Sequence, residues 1–224
     1  MEAIMSPRTV FEQQLEELHE EVKRMGMTVE CNYDDLFSSI KSHDDETVHR
    51  IQKSGNGIHE MQRNIEAMCL SLIMRQQPVA RDLRIITASL KVVTDIARIG
   101  DICSDMSELL LRTDLAPLEH FSEHLETMAD TTRRQEHDAV NAFTGRSLDQ
   151  AMKVISGDDE VDSLFNLVKE DLVVSIKNEK LSGDDCIDGL MLAKYLEKVG
   201  DHAVNIGQWE IFQETGNMND HRLL

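Results

Sequence analysis

The sequence predicts an all-α protein, a tandem repeat of two antiparallel three-helix bundles, and three observations lead there. First, apolar residues recur at alternating steps of three and four, as in Leu192, Leu196, Val199, Ala203 and Ile206. That is the spacing of a helix packing one stripe against its neighbours. Second, only 4% of the chain is aromatic and prolines number 3, which suits helices better than sheets. Third, a segment repeats. Arg98-Ile99-Gly100-Asp101 matches Lys198-Val199-Gly200-Asp201 at an offset of 100 residues, and Leu90, Ile96 and Asp105 fall opposite Leu190, Leu196 and Asn205. Two copies of one helix imply two copies of one unit.

The elements follow in order. Residues 1–7 read as a tail. A first helix spans Val10 to Ile40 on Phe11, Leu15, Leu18, Val22, Met25 and Val29, and Gly26 interrupts it without ending it. Ser42 to Asp45 offers an N-cap with an acidic first turn. A second helix runs to Arg75 through Val48, Ile51, Ile58 and Ile65, kinked or broken at Gly55-Asn56-Gly57. Pro78 suits the first position of a third helix that ends near Arg112. Thr113 to Pro117 is the seam, so the first bundle covers 8–115 and the second 116–216. The fourth helix runs from Leu118 to Phe143, with Gly145 as its C-cap. Ser147-Leu148-Asp149-Gln150 fits a capping box. The fifth helix continues to Lys177, with a break at Ser156 to Asp159 that corresponds to the Gly55 break. Ser182 to Asp185 caps a sixth helix ending near Gly216, and the last residues read as a tail without any strand pattern.

Charge narrows the function. The net charge of −19 argues against nucleic acid, whose phosphates would repel it, and against an anionic membrane surface. It is compatible with metal cations or with a basic patch on a protein partner. No stretch is apolar enough to span a bilayer, and the N-terminus lacks an apolar run, so the expected location is cytoplasmic. Cys31, Cys69, Cys103 and Cys186 form no CxxC pair and read as reduced structural thiols.

The stretch Lys194 to Trp209 carries the chemistry. Glu197, Asp201 and Asn205 stand four apart and stack on one helical face. Acids at that spacing repel, so a cation is their natural partner. Gly200 lies mid-helix, where glycine costs about 1 kcal/mol relative to alanine, so another group is expected to approach it closely.

This stretch, together with Cys69 to Lys91, Arg98 to Asp101 and Phe11 to Met25, resembles the PhoU family of phosphate-signalling proteins. The resemblance implies a tandem of two three-helix bundles. It implies action between the ATPase side of the phosphate-specific transporter and a phosphate-sensing histidine kinase, damping both when phosphate is plentiful. It also implies metal clusters, iron or zinc, at E/D-x-x-x-D motifs on each bundle. In the second bundle Glu197 and Asp201 match that motif, and Asp158 and Asp162 stand at the same spacing on the fifth helix. Four carboxylates would thus meet, a set suited to a hard cation, or to Fe or Mn. The first bundle departs from the pattern. Ala97 sits where the family has Glu, Asp101 and Asp105 remain, and Gly55, His59 and Gln62 replace the acids of the second helix. A metal there is expected to be single, weak, or bound through His59, which favours zinc.

Other signals weigh less. His120 and His124 are four apart without an evident third ligand and read as solvated. His202 adjoins Asp201, but neighbours on a helix point about 100° apart. Glu16-x-x-His19 and Glu46-x-x-His49 lie at opposite ends of their hairpin, on the order of 30 Å apart, which excludes a shared di-iron site. Arg75, Arg81 and Arg84 read as a partner surface or as arginines pairing with local acids. There is no Gly-rich phosphate loop and no nucleophile set. The sequence is therefore read as a non-catalytic regulator, expected to be a homodimer. The alternatives are a metal-dependent helical enzyme or metal buffer, and a plain helical scaffold.

Overall fold

The computed structural model describes residues 7–42, 44–78, 80–112, 123–178, 180–218 and 221–222. It is all-α. The helices are α1 (Pro7–Ser42), α2 (Asp45–Gln52), α3 (Gly55–Gln76), α4 (Arg81–Arg112), α5 (Glu123–Gly145), α6 (Leu148–Ser156), α7 (Asp158–Lys177) and α8 (Gly183–Thr215). The two glycine-marked breaks separate α2 from α3 and α6 from α7. The seam at Thr113 to Pro117, the start of the fourth helix at Leu118, and His120 lie outside the described residues.

Caps explain most of the boundaries. Asp44 accepts from the Thr47 amide at 3.1 Å and starts α2, while Ser147 accepts from the Gln150 amide and starts α6. Ser182 and Asp185 exchange bonds in a complete capping box at α8. Gly216, at φ 78°, closes α8, its amide reaching the Phe212 carbonyl at 2.8 Å.

Three boundaries differ from expectation. Gln77 and Ala80 both adopt positive φ, so the chain turns twice before α4, which starts at Arg81 rather than at Pro78. At the end of α5 the left-handed residue is Arg146, φ 55°, and Gly145 is still helical. The amide of Ser147 then bonds back to the Ala142 carbonyl at 2.9 Å. The tail carries a two-residue antiparallel pair, β1 (Asn217–Met218) with β2 (His221–Arg222).

Each repeat is a three-rod bundle. In the first, Leu18, Val22 and Met25 of α1, Ile65 and Cys69 of α3, and Ile86, Val93 and Ile96 of α4 are fully buried. Phe143, Val161, Leu196 and Val199 do the same in the second. The bundles then pack side by side, α4 along α8 and α1 along α5, into one continuous core. Close approach is built in at glycines. A Cβ on Gly26 would meet Val140 of α5 at 2.7 Å, and one on Gly100 would meet Ile58 at 2.7 Å. The expected close approach at Gly200 is present, where Gln135 and Val161 would lie 3.2 and 3.4 Å from an added Cβ.

Polar contacts fix the register between bundles. His202 Nδ1 donates to Asp95 at 2.9 Å and Asn205 to the same oxygen at 3.4 Å. Asp105, the repeat counterpart of Asn205, sits beside Tyr195, the counterpart of Asp95, and helps raise its phenol. The two contacts exchange under the repeat, so α4 and α8 run antiparallel about a pseudo-twofold axis near Gly100 and Gly200. His202 and Asn205 thus turn to α4 and do not join the acids of their own helix face.

Candidate cation site

The second-repeat acids are set by helix period. Asp158 and Asp162 are one turn apart at the start of α7, and Glu197 and Asp201 one turn apart in mid-α8. Val161 packs against Gly200, which brings α7 close to α8 at this level. Partial burial, then Asp162, Asp201, Asp159 and Glu197 in that order, push the Asp158 carboxyl above its ordinary range. All four predicted acids therefore act on one side of the α7–α8 pair. Lys194 bonds to Glu197 and Lys198 to Asp201, each from one turn back. Among the described residues, Asp158 and Asp162 form no ion pair.

The donor set suits a hard cation chemically, being carboxylate oxygens in a shared negative field. The carboxylates do not close on a point. Among the described residues, no three His, Cys, Asp or Glu side chains gather tightly enough to hold one ion.

The first repeat solves the same problem differently. Ile58 meets Gly100 as Val161 meets Gly200, so His59 stands where the second repeat has Asp162. His59 Nε2 donates to Asp101 at 2.8 Å, and Arg98 bonds to the other Asp101 oxygen at 3.2 Å. Partial burial, then Asp101 and Glu108, raise Asp105. Arg98 pairs with Asp101 as Lys198 pairs with Asp201, so the difference is His59, a hydrogen-bond partner of Asp101 at the place where the second repeat has the carboxylate of Asp162.

The arginine segment is tied to its own chain. Arg81 pairs with Glu214 at 3.2 Å, and Arg84 donates to the carbonyls of Gln213 and Glu214 at 3.2 and 3.4 Å. These bonds satisfy the open carbonyls at the end of α8 and join α4 to it. Arg75 is exposed. His124, expected to be solvated, donates to Asp171 of α7 at 2.7 Å.

Two buried carboxyls have no counterpart in the sequence reading. Glu136 of α5 and Glu210 of α8 are both excluded from solvent, and each has an oxygen without a hydrogen-bond partner. Burial, reinforced by Glu30 and Asp34, pushes Glu136 far up. Burial, reinforced by Glu214, pushes Glu210 up to about 8. Near Glu210 lie Gln213, which donates to it at 2.8 Å, and the cation of Arg146. Arg146 also reaches His19, a buried ring lowered by burial and packed on Phe143. The signal was available. Glu136 and Glu210 fall on the apolar stripes of their helices, between Thr132 and Ala139 and between Ile206 and Gln213.

Comparison with known proteins agrees with this architecture. The PhoU domain matches twice, over residues 22–110 and 125–209. A phosphate-specific transport system accessory protein PhoU homolog of Clostridium acetobutylicum is 33% identical over 95% of this chain and 98% of its own. The Escherichia coli accessory protein PhoU is 23% identical over 92% and 86%. The crystal structure of PhoU from Pseudomonas aeruginosa superposes with a TM-score of 0.81 at 25% identity, over 92% of this chain and 100% of that one. That of the phosphate transport system regulatory protein PhoU from Streptococcus pneumoniae superposes with a TM-score of 0.86 at 22% identity, over 94% and 99%. With both repeats matched and a relative that similar along its whole length, the chain belongs to the PhoU family.

Proposed function

We propose that this chain regulates phosphate uptake and the phosphate-starvation response. It acts as a metal-binding adaptor between the ATPase subunit of a phosphate transporter and a phosphate-sensing histidine kinase, and damps both when phosphate is plentiful. The observation that carries the reading is family membership across both repeats, with a relative named as an accessory protein of phosphate-specific transport aligned over 95% of the chain. The protein works by contact, in the cytoplasm and as a homodimer, and turns over no substrate.

Asp158, Asp162, Glu197 and Asp201 would hold the cation, iron or zinc, with Asp101, Asp105 and His59 as a weaker second place. The raised Asp158 supports this, since partial burial first and repulsion from Asp162, Asp201, Asp159 and Glu197 next disfavour its charge, and a positive ion offsets both. The ion would supply charge that draws α7 and α8 together. The residues themselves hold the negative field and set its position on the outer face.

Deleting the gene and measuring alkaline phosphatase in phosphate-rich medium tests the regulatory reading. Derepression is expected, and unchanged repression overturns it. Elemental analysis of protein purified without chelator or affinity resin tests the metal. Iron or zinc is expected in the wild type and lost in Asp162→Asn with Asp201→Asn, and a metal-free wild type sinks it.

A further inference from the structure

At the α1–α5 seam between the bundles the two repeats fill one position differently. The caps Asp44 and Ser147, and Ile58 and Val161 on their glycines, fix the register of the copies. In that register Gly26, Val29, Tyr33 and Phe37 of α1 correspond to Ala129, Thr132, Glu136 and Val140 of α5. Tyr33 fills its side of the seam. Its phenol donates to the Ala129 carbonyl at 3.0 Å and lies 2.7 Å from the Thr132 hydroxyl, and its ring packs on Phe37 with centroids 4.8 Å apart. On the symmetric side Glu136 and Val140 are shorter, and Val29 offers no hydroxyl where the other side has Thr132. A cavity of about 190 Å³ lies there. Gly26, Glu136 and Val140 form its buried wall, and Lys23, Met27 and His137 its exposed rim.

The wall carries an unsatisfied group. Glu136 is 3% exposed, and its Oε1 has no hydrogen-bond partner among the described residues, a costly state that a donor reaching it would relieve. The field around it selects the donor. After burial, Glu30 and Asp34 of α1 hold the Glu136 proton on, against Arg133 of α5. Arg133 is 3.4 Å from Asp34, and His137 is 3.0 Å from Glu30. On α4, burial first and Glu136 next raise the Cys103 thiol. An anion is repelled by these acids, while a cation gains from them. A bare metal ion does not fit, because among the described residues no three His, Cys, Asp or Glu side chains gather on one point. The walls at Gly26, Met27 and Val140 are apolar and suit methylene groups. At about 30 Å³ for each water-sized group the space holds about six heavy atoms.

We propose that this cavity binds a protonated primary amine on a short aliphatic chain, its ammonium donating to Glu136 Oε1 and its methylenes packing on Met27 and Val140. The amine does for Glu136 what Ala129 and Thr132 do for Tyr33, and it clasps α1 to α5 across the seam. As the ammonium pairs with the carboxylate, the carboxylic proton of Glu136 leaves for solvent. The site is separate from the acids of α7 and α8 and stands independently of the regulatory reading.

Isothermal titration calorimetry of the intact chain with n-butylamine, at neutral pH in EDTA, tests this. Wild type is expected to bind saturably and to release about one proton, read as a binding enthalpy that changes with the ionisation enthalpy of the buffer. The neutral analogue 1-pentanol and the anion butyrate are expected not to bind. Glu136→Gln keeps the shape of the wall and removes the charge. It is expected to weaken binding about tenfold or more and to abolish the proton release. Val140→Phe puts the ring of the first repeat into the cavity and is expected to abolish binding, with urea unfolding as the check that each variant is folded. No saturable binding by wild type, equal binding of 1-pentanol, or a Glu136→Gln variant with the affinity and proton release of wild type overturns the proposal. Binding that a folded Val140→Phe variant retains in full overturns it too, since the amine then sits elsewhere on this acidic chain.

Discussion

Glutamine in place of Glu210 is expected to stabilise the protein at neutral pH and to flatten its pH dependence. Glu210 is fully buried, with one oxygen unpartnered and the other accepting from Gln213 at 2.8 Å. Its carboxyl is raised from 4.5 to about 8, by burial first and by Glu214 next. Between those values the folded chain holds a proton that the unfolded chain has released. Unfolding therefore releases a proton, and stability falls as pH rises through the window. At about 1.4 kcal/mol per pH unit, the cost at pH 7 is on the order of 3 kcal/mol. Glutamine is neutral and can accept the Gln213 bond through its carbonyl. Its amide needs a partner of its own, which returns about 1–2 kcal/mol, so a net gain of about 1–2 kcal/mol is expected. Urea unfolding on either side of neutrality reads both the gain and the slope. Glu136 is raised in the same sense and leaves a residual slope. His19, buried and lowered from 6.5, acts oppositely. Its folded ring stays neutral while the unfolded ring protonates, so that contribution rises with pH and is complete above the unfolded value. The comparison is therefore made above pH 6.5. A wild type whose stability is flat there, or a variant with the wild-type slope, refutes the reasoning.

Three further outcomes are expected. Gly57→Ala, in the exposed first turn of α3 where an added Cβ meets nothing within 4 Å, should raise the unfolding free energy by about 0.5–1 kcal/mol. Gly100→Ala places a methyl 2.7 Å from the buried Ile58 side chain. Overpacking of about 1–3 kcal/mol there outweighs the helix-propensity gain, and a lower midpoint in the same urea titration checks it. Arg84→Ala frees the carbonyls that close α8 onto α4 and should cost about 1–2 kcal/mol. Faster amide exchange in the last turn of α8 is its local signature.

The face opposing Asp162 to Asp201 shows how one scaffold yields different electrostatics. In the first repeat the same place holds a histidine hydrogen bond at 2.8 Å and an arginine. Each repeat has a basic residue on its α4 or α8 acid, Arg98 on Asp101 and Lys198 on Asp201, and the second keeps one more carboxylate, Asp162, where the first has His59. Duplication preserves the packing contact, Ile58 on Gly100 and Val161 on Gly200, because both bundles need their rods that close. The surface residues around it are free to diverge.

The sequence by itself determined the all-α class, the helix order, the two glycine breaks and the one-turn spacing of the acids within α7 and within α8. Each of these is local or periodic: helical phase places residues three and four apart on one face whatever the fold. Capping by Asp44, Ser147 and Ser182 was legible for the same reason. Only the tertiary structure decided which way His202 and Asn205 turn, since their partner Asp95 is on another bundle more than a hundred residues away. It also decided that Arg81 and Arg84 hold the end of α8, and that Glu136 and Glu210 are sealed between helices. Helical phase fixes the face a side chain presents. What stands opposite that face depends on how the bundles pack, and no spacing along a single helix encodes it.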